Sequence, residues 1–293
     1  MKQLLILSGK GGTGKTTVAG ALIKLSQARA YADCDVDAPN LHLSMTQTGK
    51  AECTDYFGMP KAQIDAKECV GCGKCEENCR FGAIVSKNGY TVDPFSCEGC
   101  GVCEAICPVH AVSMRQIAAG EQMLYRSAQT IFSAAQLHMG SGTSGKLVTE
   151  VKRKMLSSTL PETKLAIIDG SPGIGCPVIA SLSGVNMVLI VAEPSLSGVS
   201  DMERILRTAE IFHTPACVCV NKADVNSGLT EQIERICEEK QIAFVGTIPY
   251  DPQAVAAINS GKTIVEIDCP SGRAVRGIYA ETMRLLEASE GEI

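Results

Sequence analysis

The sequence predicts an α/β fold, a mostly parallel sheet with helices on both faces, interrupted by a separate cysteine-rich segment. Three observations predict it. Short apolar runs alternate with helical stretches along most of the chain, which is the pattern of a parallel sheet covered on both sides. Residues 59–115 break that rhythm, with eight of the fifteen cysteines, many glycines and no long apolar run. Within them Cys69, Cys72, Cys75 and Cys79 recur at an offset of 28 as Cys97, Cys100, Cys103 and Cys107, with Gly71 and Gly73 repeated as Gly99 and Gly101. A duplication is the simplest account of such a period.

In chain order, residues 2–8 form an apolar strand ending in a glycine-rich turn, and residues 16–27 follow as a helix whose Val18, Ala19, Leu22, Ile23 and Leu25 share a face. Further strands are expected at residues 165–168, 187–192, 216–220 and 243–248, with helices at 198–212, 230–240 and 273–288. Residues 116–158 read as mostly helical, broken by a loop at residues 140–146. The expected organisation is one domain made of residues 1–58 and 116–293, with residues 59–115 inserted into it.

Composition narrows the function classes. A chain of 293 residues with 45% hydrophobic content can bury a sizeable core. Its longest apolar runs are strand-sized, far short of the roughly 20 residues that span a bilayer, and residues 1–7 are too short for the apolar core of a secretory signal. A cytoplasmic location is therefore expected. A formal net charge of −5 disfavours a nucleic-acid partner, because phosphate binding draws on clustered Lys and Arg. The last expected helix leads into Glu287, Glu290 and Glu292, which disfavours attachment to a membrane surface. Fifteen cysteines without an export signal point to metal ligation in a reducing compartment.

Gly9-Lys10-Gly11-Gly12-Thr13-Gly14-Lys15-Thr16 satisfies G-x-x-x-x-G-K-[ST] between a strand and a helix. Glycines let backbone N–H groups turn onto a phosphate, and the helix N-terminus adds a favourable dipole. Lys15 would pair with β- and γ-phosphate oxygens, and the Thr16 hydroxyl would ligate Mg²⁺. Gly9 to Thr16, and Thr17 after them, are thus the candidate ligands of ATP. A plain helix-capping turn, the competing reading, needs neither Lys15 nor Thr16.

Lys10 adds a family. The form Lys-Gly-Gly-Thr-Gly-Lys-Thr resembles the deviant Walker A loop of the MinD/ParA ATPases, a family that also includes the nitrogenase iron protein and the cluster-scaffold ATPases. There the early lysine reaches the partner's nucleotide across a dimer interface, so the resemblance implies an ATP-dependent homodimer. Residues 32–41 look like the family's switch I, with Asp35 orienting the attacking water. Residues 167–173 look like its Walker B and switch II segment, with Asp169 near Mg²⁺. Asn221, in a segment similar to the family's base-binding one, would hydrogen-bond adenine, and Pro249 would pack beside the base. Cys176, seven residues after Asp169, stands near where the nitrogenase iron protein has a cluster ligand. The second cysteine of such a site would fall in residues 116–158, which contain none.

Cys-x₂-Cys-x₂-Cys-x₃-Cys, present twice, resembles the bacterial two-cluster ferredoxin, in which the fourth cysteine of each run ligates the other cluster. The resemblance implies a ferredoxin-like α+β insert holding two [4Fe-4S] clusters. Cys69, Cys72, Cys75 and Cys107 would hold one, and Cys97, Cys100, Cys103 and Cys79 the other. The first run departs from the pattern in having Arg80 where proline usually follows. Structural zinc competes, but it favours separated C-x₂-C pairs, whereas here four sulfurs fall within eleven residues, twice. The remaining cysteines, at 34, 53, 176, 217, 219, 237 and 269, have no such grouping and read as small buried hydrophobes.

Together these resemblances imply an ATPase that couples its nucleotide state to low-potential electron transfer to a partner protein. Two alternatives stand beside it: an ATPase that assembles or inserts iron-sulfur or related metallocofactors into a client, and a redox-sensing switch of the MinD/ParA kind.

Overall fold

Leu4, Leu5, Ile6 and Leu7 are fully buried, and the strand they form, β1 (Lys2–Leu7), sits mid-sheet with a parallel neighbour on each side. The computed structural model describes residues 1–45 and 50–288, so Glu290 and Glu292 lie outside the described residues. The chain divides into two compact units: Met1–Cys53, Gln122–Gln136 and Ser144–Ile293 form the first, Thr54–Glu121 and Leu137–Thr143 the second.

After β1 come α1 (Lys15–Ser26), β2 (Ala30–Asp33) and β3 (Glu52–Phe57), then a run of short elements. These are β4 (Lys61–Ile64), α2 (Lys74–Glu77), β5 (Ile84–Val85), β6 (Thr91–Val92), α3 (Val102–Ala105) and β7 (Val112–Arg115). The chain continues through β8 (Ala118–Arg126), β9 (Ile131–Leu137), α4 (Ser144–Ser158), β10 (Leu165–Asp169), α5 (Cys176–Leu182), β11 (Met187–Ala192) and α6 (Leu196–Ile211). It ends with β12 (Ala216–Asn221), α7 (Ser227–Glu239), β13 (Ala243–Ile248), α8 (Pro252–Asn259) and α9 (Pro270–Ala288). Among the described residues the large sheet has the order β13-β12-β11-β1-β10-β2-β9-β8-β3, and every pairing from β13 to β9 is parallel.

Alternation along the strands divides the core of the first unit. Leu4 and Ile6 of β1, Ile167 of β10, Leu189 and Val191 of β11, and Cys217 and Cys219 of β12 share one face with α1 and α9. Burial pushes the Cys217 thiol up to about 12, so it packs there as a small neutral hydrophobe. Helices α4 and α5 pack on each other, as do α6 and α7.

Residues 116–158 correct the helical expectation: β8 and β9 occupy most of the first half, and only α4 is helical. Ile131, Phe132, Ser133, Ala134 and Ala135 of β9 are all buried, and β9 pairs in parallel with β2, Phe132 stacking on Tyr31 at 5.0 Å. A short run buried on both faces has no polar alternation, so periodicity cannot separate it from a buried helix. The expected loop at 140–146 ends at Thr143, and Ser144 already begins α4.

In the second unit the 28-residue repeat becomes an approximate two-fold. Ile64 of β4 pairs with Val112 of β7, and Ile84 of β5 pairs with Val92 of β6. The strand before each cysteine run thus pairs with the strand after the other run. Helices α2 and α3 each open on a left-handed glycine, Gly73 and Gly101. The core is small: Ala62, Ala83, Cys97 and Val112, with Ile64, Val92, Met114 and three more cysteines packed against it.

Candidate functional site

The turn after β1 curls because Gly12 and Gly14 adopt φ of 81° and 92°, which residues with a Cβ resist. Gly9 is required for space: a Cβ there would lie 2.1 Å from the Cβ of Asp201 on α6. The curl surrounds a cavity of about 570 Å³ lined by Lys10 through Thr17 and, from facing segments, by Asp35, Asp37, Asn40, Ser171 and Pro177. The volume is that of a small-molecule site. Thr13 is 2% exposed and its hydroxyl has no protein partner, an orphan group that a phosphate oxygen would satisfy.

Lys15 and Asp169 form the buried centre of the site. Lys15 Nζ lies 2.6 Å from Asp169 Oδ1, the side chains being 5% and 0% exposed, and the Thr16 hydroxyl donates to Asp169 Oδ2 at 2.6 Å. Burial alone would lower the Lys15 amine, but the charge and hydrogen bond of Asp169 hold it above its ordinary value. Asp169 ends β10 in register with Asp33 at the end of β2. Sheet geometry therefore sets these two carboxylates side by side at the carboxyl ends of the strands, where ligands of open α/β sheets bind.

Asp33 organises the following loop. Its carboxylate accepts backbone N–H groups from Asp35 at 3.0 Å and from Asn40 and Leu41 at 2.9 Å. Burial and the neighbouring Asp169 charge outweigh these donors and raise its pKa to about 7. Asp35, half-buried on the cavity wall, is also raised, by burial, with Lys15 opposing. The segments after β2 and β10 are tied together as well, since the Ser171 hydroxyl donates to the Cys34 carbonyl.

Lys10 is folded back on its own chain, 3.3 Å from Glu193 Oε2 and 3.2 Å from the Ser195 hydroxyl. Asn221 and Pro249 do not line the cavity. Asn221 Nδ2 donates to the Thr13 carbonyl at 2.6 Å, and the loop after β13 is tied to the same region by Tyr250 N–H donating to Asp224 at 2.6 Å. Sequence reasoning missed Lys222, whose amine donates to the Gly12 carbonyl at 2.9 Å, and Glu193, which faces both Lys10 and Lys222. Lys222 follows Asn221 directly, but a tertiary contact with the glycine loop has no local signal. Cys176 is exposed at the start of α5.

The cysteine runs of the second unit gather around two small cavities. One is lined by Cys69, Cys72, Cys75 and Cys107, the other by Cys79, Cys97, Cys100 and Cys103. The fourth thiol of each run receives a backbone N–H: Ala83 to Cys79 at 3.4 Å and Ala111 to Cys107 at 3.2 Å. Burial opposes ionisation of Cys107, but the N–H groups of Val109, Ala111, Val112 and His110 hold it below the ordinary thiol value. Among the described residues no group of three or more His, Cys, Asp or Glu is arranged to hold a single metal ion. No described helix is long and apolar enough to cross a membrane.

A parallel sheet with a glycine loop, the lysine that ends it and a carboxylate at the neighbouring strand end defines a P-loop nucleotide-binding protein. The model of the CobQ/CobB/MinD/ParA nucleotide binding domain matches residues 4–264. The chain belongs to that family and is a MinD/ParA-type nucleotide-binding ATPase. It is 32% identical over 229 residues to the uncharacterized protein MJ0578 of Methanocaldococcus jannaschii, covering 77% of this chain and 79% of that one. It is 23% identical to the iron-sulfur cluster carrier protein of Pyrococcus furiosus, over 99% and 88% of the two chains. Among solved structures, MinD of Pyrococcus horikoshii complexed with Mg-ADP aligns over 100% of this chain and 99% of that one, with TM-score 0.58 and 14% identity. At that identity the likeness shows the fold.

Proposed function

We propose that the chain is an ATP-hydrolysing homodimer whose nucleotide state governs low-potential electron transfer, through two [4Fe-4S] clusters held by the second unit, to a partner protein. The observation that carries this reading is the pair of cavities with crossed cysteine sets, on a chain that also has a complete phosphate loop. Zinc would favour separated C-x₂-C pairs, whereas here four cysteines within eleven residues recur twice, and no group of three or more His, Cys, Asp or Glu among the described residues is arranged around a single ion. Cys69, Cys72, Cys75 and Cys107 hold one cluster and Cys97, Cys100, Cys103 and Cys79 the other. Bound there, the clusters supply one-electron transfer.

On the nucleotide side, Lys15 leaves Asp169 to meet the β- and γ-phosphate oxygens of ATP, and the N–H groups of residues 11–16 enclose the β-phosphate. Asp169 and Thr16 would hold Mg²⁺, whose charge would offset that developing on the phosphates, and Asp35 would orient the attacking water. Lys10 gives up Glu193 and Ser195 to neutralise the partner subunit's nucleotide. Asn221 and Pro249 take the base. Because switch I directly precedes the second unit in the chain, a γ-phosphate that reorders residues 33–41 acts on the segment leading into it.

Low-temperature EPR of anaerobically purified, dithionite-reduced protein, with and without Mg-ATP, tests the reading. Two [4Fe-4S] signals whose potential or coupling moves with ATP are expected, and clusters indifferent to nucleotide would sink nucleotide-governed transfer. A second reading, cluster delivery to a client, is favoured by the full-length resemblance to the carrier protein of Pyrococcus furiosus. It predicts a labile cluster that passes to an apo-protein.

A further inference from the structure

The two cysteine-lined cavities are related by the 28-residue repeat, yet of the equivalent positions that line both, three differ in charge or polarity. The first has Val70, Lys74 and Tyr90, where the second has Glu98, Val102 and Ala62. Lys74 is therefore the charged side chain lining the first cavity and Glu98 the one lining the second. Tyr90 brings a hydroxyl as well, 3.3 Å from where a Cβ on Gly73 would stand. Ala62 brings no polar atom.

Lys61, Glu76 and Glu77 stand nearby but line neither cavity. Lys61 donates to the Cys97 carbonyl and lies near the Asp93 carboxylate. Glu76, close to Tyr90, accepts the Ser86 hydroxyl at 3.2 Å, and Glu77 Oε1 lies 3.8 Å from the same Cβ position on Gly73.

Reducing an iron-sulfur cube adds one negative charge. A cation or a hydroxyl donor beside it stabilises the reduced form, and a carboxylate opposes it. We infer that the two cluster sites are unequal: the Cys69, Cys72, Cys75 and Cys107 set, flanked by Lys74 and Tyr90, holds an added electron in preference to the set flanked by Glu98. This rests on the two-cluster reading above. A single electron on the chain resides at the first set, and the second is filled only by a stronger reductant. Lys74 and Glu98 are both solvent-exposed, so salt screens part of the difference.

An EPR-monitored redox titration of the full chain, with dithionite as reductant, tests this. Two separate one-electron waves are expected, drawing closer at high ionic strength. Lys74→Gln and Tyr90→Phe should each move the upper wave down and leave the lower in place, whereas Glu98→Gln should raise the lower wave alone. Coincident waves in the unaltered protein, or a Lys74→Gln variant that moves the lower wave or neither, would overturn the inference. Should Lys74→Gln load incompletely, Tyr90→Phe reads the same wave without touching a neighbour of Cys75. Iron and acid-labile sulfide are measured on every sample. An unaltered protein that does not hold two cubes overturns the cluster reading itself, an outcome distinct from two cubes of equal potential.

Discussion

Lys15 and Asp169 each satisfy the other's buried charge at 2.6 Å, and removing one partner of such a pair leaves the other uncompensated. Lys15→Ala should therefore abolish ATP binding and also destabilise the nucleotide-free protein by about 3 kcal/mol, read by isothermal calorimetry and by chemical denaturation. A variant that loses ATP binding at unchanged stability would contradict the pairing. Asp33 gives a pH signature. Its folded pKa, about 7, lies above the ordinary 3.8, so the folded state holds the proton more tightly than the unfolded one. Its contribution to stability is full below pH 3.8 and is lost as the pH rises towards 7. Relative to Asp33→Asn, the unaltered protein should lose unfolding free energy across that window and run parallel above it. A flat difference would show that Asp33 titrates normally.

At the scale of elements, α4 and α5 are joined by a buried cation. Lys152 of α4 donates to the carbonyls of Ser181 and Ser183, both at 2.6 Å, at the C-terminal end of α5, where the last carbonyls of a helix lack partners. Lys152→Met keeps the volume but leaves those acceptors unmet, and should lower stability by about 2 kcal/mol. Denaturant midpoints would reveal it, and an unchanged midpoint would mean that water replaces the amine. Legibility also varied by element. The glycine loop with β1 and α1 could be read directly, because strand, turn residues and helix onset are all local signals. Strands β8 and β9 could not. The first carries Ala118, Ala119 and Gly120, and the second is buried from Ile131 to Ala135, so neither shows the alternation that marks a half-exposed strand. The inward grip of Lys222 on Gly12 depends on β12 lying two strands from β1, which no window along the chain contains.

For the whole molecule, the spacing of the cysteines made the two runs visible, and the crossing of their ends is a matter of strand pairing, β4 with β7 and β5 with β6. With so few apolar residues in its core, the second unit, if it holds the proposed clusters, should depend on them for stability. We expect Cys107→Ser to lose the first cluster, roughly halving bound iron if each site holds one cube, and to leave ATP affinity unchanged. Loss of ATP binding together with the iron would contradict two separable sites. Legibility ended at the partner: the residues that choose an electron acceptor or a client lie on surfaces, where no spacing rule applies. The crossed pairing also bears on how the protein is made. Cys69, Cys72 and Cys75 leave the ribosome 28 residues ahead of their repeats, yet in the proposed two-cluster reading the fourth ligand of their site is Cys107, the last to emerge. On that reading neither half of the repeat would mature early, metal loading would wait for translation to pass the whole segment, and a chain interrupted between the runs would carry eager thiols and no finished site.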